Sequence, residues 1–300
     1  MGWLRKLSLN IYVNNELQKT YISDGTRNTV DIEFSIEKTL TGEPNQSSII
    51  ISNINSETKA YLMNVGRSAD NKIFIELFAG YEDTGLELLS CGDLVKLWPE
   101  KQGSSNTFTL SYLDGFFAVQ DSHFEGTIPG NTSLSSTIFV IARSFKKDGI
   151  EVDPTKINVQ GTIPLRGMTF YGRTATTLDQ LASSFGFTWS IQDGVFQANM
   201  DGEINQPSQA IYEVSLRNRN LLKATPEIGE NFMEQIGMKI EAILNPKCKC
   251  GDLIRLNSQV YPGFNGDYTI HNLSFNGGTK ITDWKMIIDS KTIVEKKQWI

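Results

Sequence analysis

The sequence predicts a mainly β protein, with a smaller α+β middle domain between two similar β-barrel-like end domains. Apolar and polar residues alternate through the first and last parts of the chain, which is typical of strands with one buried face. Apolar residues recur at helical spacing mainly in between, and the two ends share a short sequence echo. We therefore predict domains over residues 1–115, 116–206 and 207–300, each large enough for its own core.

The composition is that of a globular protein with an acidic balance. Of its 300 residues, 39% are hydrophobic and 21% are charged, and the formal net charge is −6. This charge disfavours an electropositive nucleic-acid clamp, although a channel through which DNA merely passes would tolerate it. The three cysteines are too sparse for a disulfide scaffold, and no apolar run approaches the roughly 20 residues that span a bilayer. We expect synthesis in the cytosol and a reducing compartment.

Two alternating runs open the first segment. Residues 7–13 and residues 30–36 carry apolar side chains at every second position, so the two strands can share one core face. Residues 55–64 instead predict a short helix, with Asn55 or Ser56 as its N-cap. Further strands are predicted at residues 48–51, 72–78, 87–90, 94–97 and 107–112.

The middle segment carries the main helical signals. Apolar residues at helical spacing predict a helix over residues 134–145, and Gly149 provides a C-terminal stop. A second helix is predicted over residues 177–185, with Thr177 and Gln180 spaced as a capping box. Both helices would be amphipathic, so each can pack on a small sheet.

A hairpin is predicted directly after the second helix. Residues 187–191 and 195–198 flank Asp193-Gly194, whose glycine readily takes the positive φ of a type I′ turn. The polar residues 201–209 then form a plausible domain boundary. In the last segment, strands are predicted at residues 212–216, 238–244, 252–256, 268–273 and 282–288.

The echo links the two ends of the chain. It consists of residues 91–97 and residues 250–256, which begin with Cys91-Gly92-Asp93-Leu94 and Cys250-Gly251-Asp252-Leu253. In each stretch the glycine and the aspartate would make the turn into a strand, and the leucine would begin its buried run. We predict structural turn-and-strand motifs at Gly92, Asp93, Leu94, Gly251, Asp252 and Leu253. Short patterns of this kind recur in all-β proteins, so duplication of one β domain and chance similarity both remain open.

Candidate catalytic residues are few, because the chain has only two histidines. His123 lies between Asp121 and Glu125, but no Gly-x-Ser-x-Gly nucleophile motif accompanies it. His271 lies in an alternating run and is predicted to be an ordinary strand residue. Nothing in the sequence fixes Asp114, Asp121 and Glu125 at the short separation that glycosidic cleavage requires.

Metal and cofactor signals are also missing from the sequence. Cys91, Cys248 and Cys250 are unsuitably spaced for a thiolate zinc site, and no CxxC pair occurs. Neither of the glycine-rich phosphate-binding patterns GxGxxG and GxxxxGK[ST] occurs. We therefore predict no catalytic residue, no metal ligand and no cofactor site, and a protein that is not an enzyme.

Several stretches, in this order, carry a resemblance to a known family. They are residues 47–54, 75–81, 92–94, 244–246, 251–254 and 266–270, followed by Trp284. In their order and spacing they resemble the baseplate hub protein of contractile-tailed phages, as found in the small Mu-like relatives of the longer T-even hub. The resemblance spans nearly the whole chain. It departs at residues 275–277, where relatives often have a histidine before the glycine pair.

The resemblance implies a trimeric adaptor. In such a homotrimer, two similar tube domains per subunit form a pseudo-sixfold ring that joins the sixfold tail tube to the threefold central spike and lines the DNA and tape-measure channel. The implied partners are the same chain, the central spike protein, the tail tube or tube-initiator protein, the baseplate wedge proteins and the tape-measure protein, with DNA only in passage. The implied location is the baseplate of the virion tail, after assembly in the host cytoplasm.

Three alternatives remain from the sequence. The chain could be a tail-associated hydrolase of the cell wall, the hub of a headless contractile injection system, or a carbohydrate-binding module. The shortage of histidine and nucleophile motifs disfavours the hydrolase. Exposed aromatic residues on a β face would support the carbohydrate-binding module, but the tryptophans lie within or beside predicted strands.

Overall fold

The computed structural model of the chain describes residues 4–26, 29–65, 72–102, 105–200, 211–228, 235–260, 262–281 and 283–292. The chain is mainly β, with a smaller α+β part in its middle, which confirms the predicted fold class. Within the described residues, no helix is long and apolar enough to cross a membrane.

The first β unit, residues 5–113, is built from strands whose inward positions are apolar. On β3, for example, Ile32, Phe34 and Ile36 are buried and the residues between them are not. The short helix α1 begins after Asn55, whose Oδ1 accepts a hydrogen bond from the Thr58 amide at 2.7 Å, as expected for an N-cap. The elements are β1 (Arg5–Val13), β2 (Glu16–Ser23), β3 (Asp31–Thr39), β4 (Gln46–Ser52), α1 (Ser56–Val65), β5 (Ile73–Tyr81), β6 (Gly85–Gln102) and β7 (Ser105–Leu113).

The middle unit, residues 116–200, packs helices against short strands. Its elements are α2 (Phe116–Asp121), β8 (His123–Ile128), α3 (Leu134–Ala142), β9 (Glu151–Asn158), β10 (Met168–Arg173), α4 (Thr174–Phe185), β11 (Phe187–Gln192) and β12 (Val195–Met200). A 3₁₀ helix, Arg143–Asp148, continues α3 and ends at Gly149, whose φ of 85° confirms the predicted stop.

The second β unit, residues 212–292, completes the chain. Its strands are β13 (Tyr212–Ser215), β14 (Leu221–Ile228), β15 (Gln235–Ile243), β16 (Leu253–Asn257), β17 (Gly266–Gly278) and β18 (Trp284–Thr292). Most of its neighbouring strands are antiparallel, but β13 pairs with β16 in parallel.

One continuous sheet unites the two β units. Among the described residues, thirteen strands form this sheet in the order β14-β15-β18-β17-β3-β4-β7-β6-β5-β1-β2, with β13 and β16 attached at β17. The middle unit contributes separate small sheets, β8–β10 and β9–β12–β11. The two β units are thus joined directly by hydrogen bonds between β3 and β17, although the middle unit lies between them in the sequence.

The hydrophobic core follows this sheet. One cluster of buried side chains draws on both β units, from Leu7 to Ile288, and a second lies between Ala118 and Ala198 in the middle unit. The two end segments therefore share a core, so the prediction that each of the three domains has its own core is wrong. The three predicted domain boundaries stay a prediction, and the boundary segment 201–209 lies outside the described residues.

The sequence predictions differ from the structure at several elements. The predicted break at Gly92-Asp93 is wrong, since β6 runs through it as one strand that pairs with β5 on one side and β7 on the other. The capping box at Thr177 is also wrong: α4 begins at Thr174, and Thr177 donates a hydrogen bond to the Arg173 carbonyl from inside the helix. Strands β2, β8, β9, β10 and β14 were not predicted. Strand β2 shows why, because most of its side chains are exposed and give no apolar alternation.

Candidate functional site: the junction of the three units

The two β units meet at a seam between β3 and β17. The strands pair antiparallel, from Asn272 opposite Thr39 to Gly278 opposite Glu33. At the centre of the seam Phe275 lies opposite Ile36, and both are fully buried. Separating the units would break this ladder and expose shared core, so the seam fixes their relative position.

The side chain of Arg5 binds backbone carbonyl groups at the edge of the same seam. The Nη1 atom of Arg5 donates to the carbonyls of Gly278, Ile281 and Asp283 at 3.1, 2.6 and 3.1 Å. Its guanidinium also lies 5.3 Å from the ring centre of Trp284, in a cation–π contact. Strand β1 is thereby attached to the turn that joins β17 and β18.

A buried lysine marks the point where the seam reaches the middle unit. Lys38 continues the inward register of β3 after Ile36, and its side chain is 4% exposed. Its Nζ lies 2.6 Å from Oδ1 of Asp193, whose side chain is 3% exposed, and 5.9 Å from the ring centre of Phe275. A buried charge requires a partner of this kind.

Asp193 belongs to the tight turn between β11 and β12. Its φ of 53° and the φ of 78° at Gly194 confirm the predicted type I′ hairpin. Asp114, at the end of β7, accepts hydrogen bonds from the amides of Asp193 and Gly194 at 2.5 and 3.0 Å. The first β unit therefore holds the hairpin through both its lysine and its aspartate.

Two amides extend this contact. Asn45 accepts a hydrogen bond from the Thr39 amide at 2.8 Å and donates to the Ile191 carbonyl at 3.0 Å. Gln192 donates to the Thr39 carbonyl at 2.6 Å. Strand β3 and the hairpin are thus joined by neutral hydrogen bonds as well as by the ion pair.

The cysteines of the echo flank the buried pair. The Cys250 thiol donates to the Lys38 carbonyl at 3.4 Å, and the Sγ of Cys91 lies 3.9 Å from the position that a side chain on Gly194 would take. Burial raises the pKa of the Cys91 thiol well above its ordinary value and that of Cys250 to about 12. Both are inert thiols, and no cluster in the described part of the chain could hold a metal ion.

The charges of the junction balance. Burial, and then the nearby Asp193 carboxylate, raise the pKa of Asp114 to about 8, so this carboxyl is largely protonated at neutral pH. For Lys38, burial is the largest single influence and would lower the pKa, but the charge and hydrogen bond of the Asp193 carboxylate, together with the other acidic groups nearby, leave the pKa raised. The junction therefore contains one fully buried ion pair beside one neutral acid, with the half-exposed Lys249 at its edge.

We expect the protein to lose stability as the pH rises from about 6.5 to about 8. The folded-state pKa of Asp114 lies above the 3.8 of an ordinary Asp, so the folded protein keeps a proton that the unfolded chain has lost. The contribution of Asp114 to the free energy of unfolding then falls by up to about 1.4 kcal/mol per pH unit and levels off above its folded pKa. The buried thiols of Cys91 and Cys250, whose pKa values are also raised, continue the loss of stability at higher pH. Urea unfolding at a series of pH values measures the slope.

The choice of pH range and a control variant separate the effect of Asp114 from that of other titratable groups. The raised pKa values of Asp93 and Asp252, about 6, have their effect at lower pH, as does the lowered pKa of His271. The Asp114→Asn variant should show a much flatter dependence. Equal slopes for the variant and the natural protein would contradict the assignment.

The two aspartates of the echo have similar surroundings. Asp93 accepts a hydrogen bond from the Phe117 amide at 3.1 Å, and Asp252 accepts one from the Lys249 amide at 3.0 Å. Burial raises the pKa of each carboxyl to about 6. Their backbones differ, since Asp93 lies within a strand, whereas Asp252 follows a turn in which Gly251 has a φ of 89°.

The leucines of the echo do not start the buried runs. Leu253 is half-buried, and the inward positions of β16 are Ile254 and Leu256. Leu94 is half-buried beside a bulge in β6. A strand's side chains alternate, so a shift of one residue moves the apolar set to the other face. Duplication as the origin of the echo stays a prediction.

The catalytic candidates of the sequence do not come together. His123 and Glu125 are exposed on β8, and Asp121 is exposed at the end of α2. The Nδ1 atom of His123 lies 2.8 Å from the Asp121 carbonyl oxygen, not from a carboxylate. Asp114 belongs to the buried junction. His271 is half-buried on β17 at a bulge, which confirms it as a strand residue.

Sequence reasoning missed the residues that make the junction, above all Lys38. A signal was present, because Ile32, Phe34 and Ile36 define an inward face on which Lys38 is the next position. A lysine in that register must find a buried acid. The identity of the acid could not be read from the sequence, since Asp193 is 155 residues away.

Two β units joined in one sheet, with a mixed unit between them in the chain, make a fold that this chain shares with solved structures of phage tail proteins. No family model and no curated protein sequence matches the chain.

Three solved structures show the likeness. The tail protein from Neisseria meningitidis MC58 has a TM-score of 0.63 at 10% identity, over 95% of this chain and 96% of that one. The 43 kDa tail protein of prophage MuSo2 from Shewanella oneidensis has a TM-score of 0.62 at 11% identity, over 95% and 96%. An E. coli type VI secretion component, c3393, described as structurally similar to the T4 bacteriophage tail proteins gp27 and gp5, has a TM-score of 0.59 at 10% identity, over 95% and 77%.

Proposed function

We propose that this chain is the non-catalytic structural hub of a tail baseplate, a homotrimer that joins a sixfold tail tube to a threefold central spike. The observation that carries the proposal is the seam between β3 and β17, which joins the two β units of the chain in one continuous sheet. Three subunits around an axis then present six β units, which is how a threefold assembly can match a sixfold one.

The outer face of the seam suits a channel wall. Ser111, Ser48, Ser35 and Asn276 face one another in register across β7, β4, β3 and β17. Ser35 donates to the Asn276 side chain at 2.9 Å. This row is neutral at its centre and meets Lys96 on β6 and Lys285 on β18 at its two ends, so the face is polar and carries cations only at its margins.

The proposed partners follow from this role. They are further copies of the chain, the central spike protein, the tail tube or tube-initiator protein, the baseplate wedge proteins and the tape-measure protein, with DNA in passage. The proposed location is the tail baseplate of a virion, assembled in the host cytoplasm. The likeness to a type VI secretion component equally supports the hub of a headless contractile injection system.

The molar mass of the assembled protein tests the proposal. We expect multi-angle light scattering of the full chain alone to give three times the mass of one chain, and the complex with its tube and spike proteins to contain three copies of the chain. A strict monomer under all of these conditions would contradict the proposal. Electron microscopy of particles that contain the chain would show whether a head is attached, and so separate a virion from a headless device.

A further inference from the structure

We propose that the side chains of Lys38 and Asp193 condense to an isopeptide bond, which covalently joins strand β3 to the tip of the β11–β12 hairpin. The proposal rests on the geometry of the junction and is independent of the proposed function. It concerns two residues with no part in a catalytic site.

The two side chains that would react are already in contact through Nζ and a carboxylate oxygen. The Nζ of Lys38 lies 2.6 Å from Oδ1 of Asp193, which places it roughly 3–3.5 Å from the carboxyl carbon, the separation of a near-attack geometry. The two side chains are 4% and 3% exposed, so bulk water has little access to them. Strand β3 and the type I′ turn hold both residues, so little conformational freedom remains to be lost.

A third group can move the protons. Asp114 is 3% exposed, and its carboxyl is fixed by the amides of Asp193 and Gly194. A buried acid that is protonated near neutral pH can give a proton to a leaving group and later take one from an amine. Among the ion pairs of the described residues, Asp193 has one further cation, the half-exposed Lys249, whose Nζ lies 3.7 Å from Oδ2.

The reaction balances without a co-reactant. The Lys38 ammonium first passes a proton to the Asp193 carboxylate, which gives a neutral amine and a neutral acid. The amine nitrogen attacks the carboxyl carbon, and Asp114 protonates the hydroxyl group, which leaves as water. The nitrogen then returns a proton to Asp114. One C–N bond forms, one C–O bond breaks, one water is released, and no atom is oxidised or reduced.

The bond would cross-link distant parts of the chain. Lys38 and Asp193 are 155 residues apart, and they belong to the first β unit and the middle unit. A covalent link over such a long loop removes many conformations from the unfolded chain and keeps the two units attached under load.

Intact mass spectrometry of the full, natively purified chain tests the proposal. We expect most molecules to weigh one water less than the sequence requires. A protease digest should contain a branched peptide in which a segment with Lys38 is joined to one with Asp193. Folded protein that keeps its full sequence mass after prolonged incubation would overturn the proposal, with no variant required.

Variants of the protein distinguish the isopeptide bond from other reactions that also release one water. Asp193-Gly194 could also lose water as a succinimide, but a succinimide lies within one peptide and would survive in Lys38→Arg, whereas the isopeptide bond would not form. Asp114→Asn should slow the mass loss, and the matched control Lys249→Arg should leave it unchanged. Loss of water in folded Lys38→Arg to the natural extent would also overturn the proposal.

Discussion

Measured against protein in which Lys38 and Asp193 are an ion pair and not yet covalently joined, replacement of Lys38 with methionine should lower the free energy of unfolding by on the order of 3–5 kcal/mol. Methionine keeps most of the volume of the side chain but removes the charge that faces Asp193 at 2.6 Å. The Asp193 carboxylate would then lose its buried cation and keep only the half-exposed Lys249, whose Nζ lies 3.7 Å from Oδ2, while a second acid, Asp114, lies beside it. Urea unfolding followed by circular dichroism measures the loss.

Two controls make this result specific. The double variant Lys38→Met with Asp193→Asn should recover most of the lost stability, because it no longer buries an unpaired charge. Lys19→Met should change stability by less than about 1 kcal/mol, since the Lys19–Glu57 pair is 41% and 81% exposed. If Lys38→Met cost no more than Lys19→Met, the junction would not hold the middle unit in place.

Gly92→Ala should destabilise the fold by about 1–3 kcal/mol, although alanine adds a single methyl group. A Cβ on Gly92 would lie 2.6 Å from the carbonyl oxygen of Leu113 and 2.9 Å from the amide nitrogen of Asp114. These are backbone atoms of the neighbouring strand and of the junction, so they cannot move away as a flexible side chain would. Thermal and urea unfolding both measure the effect.

The matched control is another glycine to alanine change. Gly263 has no atom within 4 Å of the position of a Cβ and no positive φ, so Gly263→Ala should be close to neutral or slightly stabilising. The comparison tests the predicted structural role of the first echo glycine. If Gly92→Ala were as stable as Gly263→Ala, the close approach of Gly92 to the backbone at the end of β7 would not contribute to stability.

Much of the fold could be predicted from local patterns. The alternation in residues 7–13 and 30–36 predicted β1 and β3, and Asp193-Gly194 predicted the type I′ turn between β11 and β12. The patterns failed where a strand does not bury an apolar face. Strand β2 is mostly exposed, and β6 continues through a glycine because both its neighbours bond to it.

The candidate site was predicted only in part. The echo pointed to two stretches that lie beside the junction, because Cys91 and Cys250 flank Lys38 and Asp193. The lysine was visible as a charge in an inward register, but its meaning depends on a hairpin that is 155 residues away. Local sequence carries periodicity and turn chemistry, whereas pairing between distant segments depends on the whole set of packed surfaces.

By itself, the sequence determined the mainly β character of the protein, its mixed middle, the hairpin at Asp193-Gly194 and the absence of catalytic and nucleotide-binding motifs. Only the tertiary structure decided that the two ends form one sheet, through the pairing of β3 with β17, and that Lys38 meets Asp193 beneath it. The physical reason is that alternation specifies which face of a strand is buried but not which strand lies beside it. The choice of neighbour is made by register, shared core and the need to pair every buried charge.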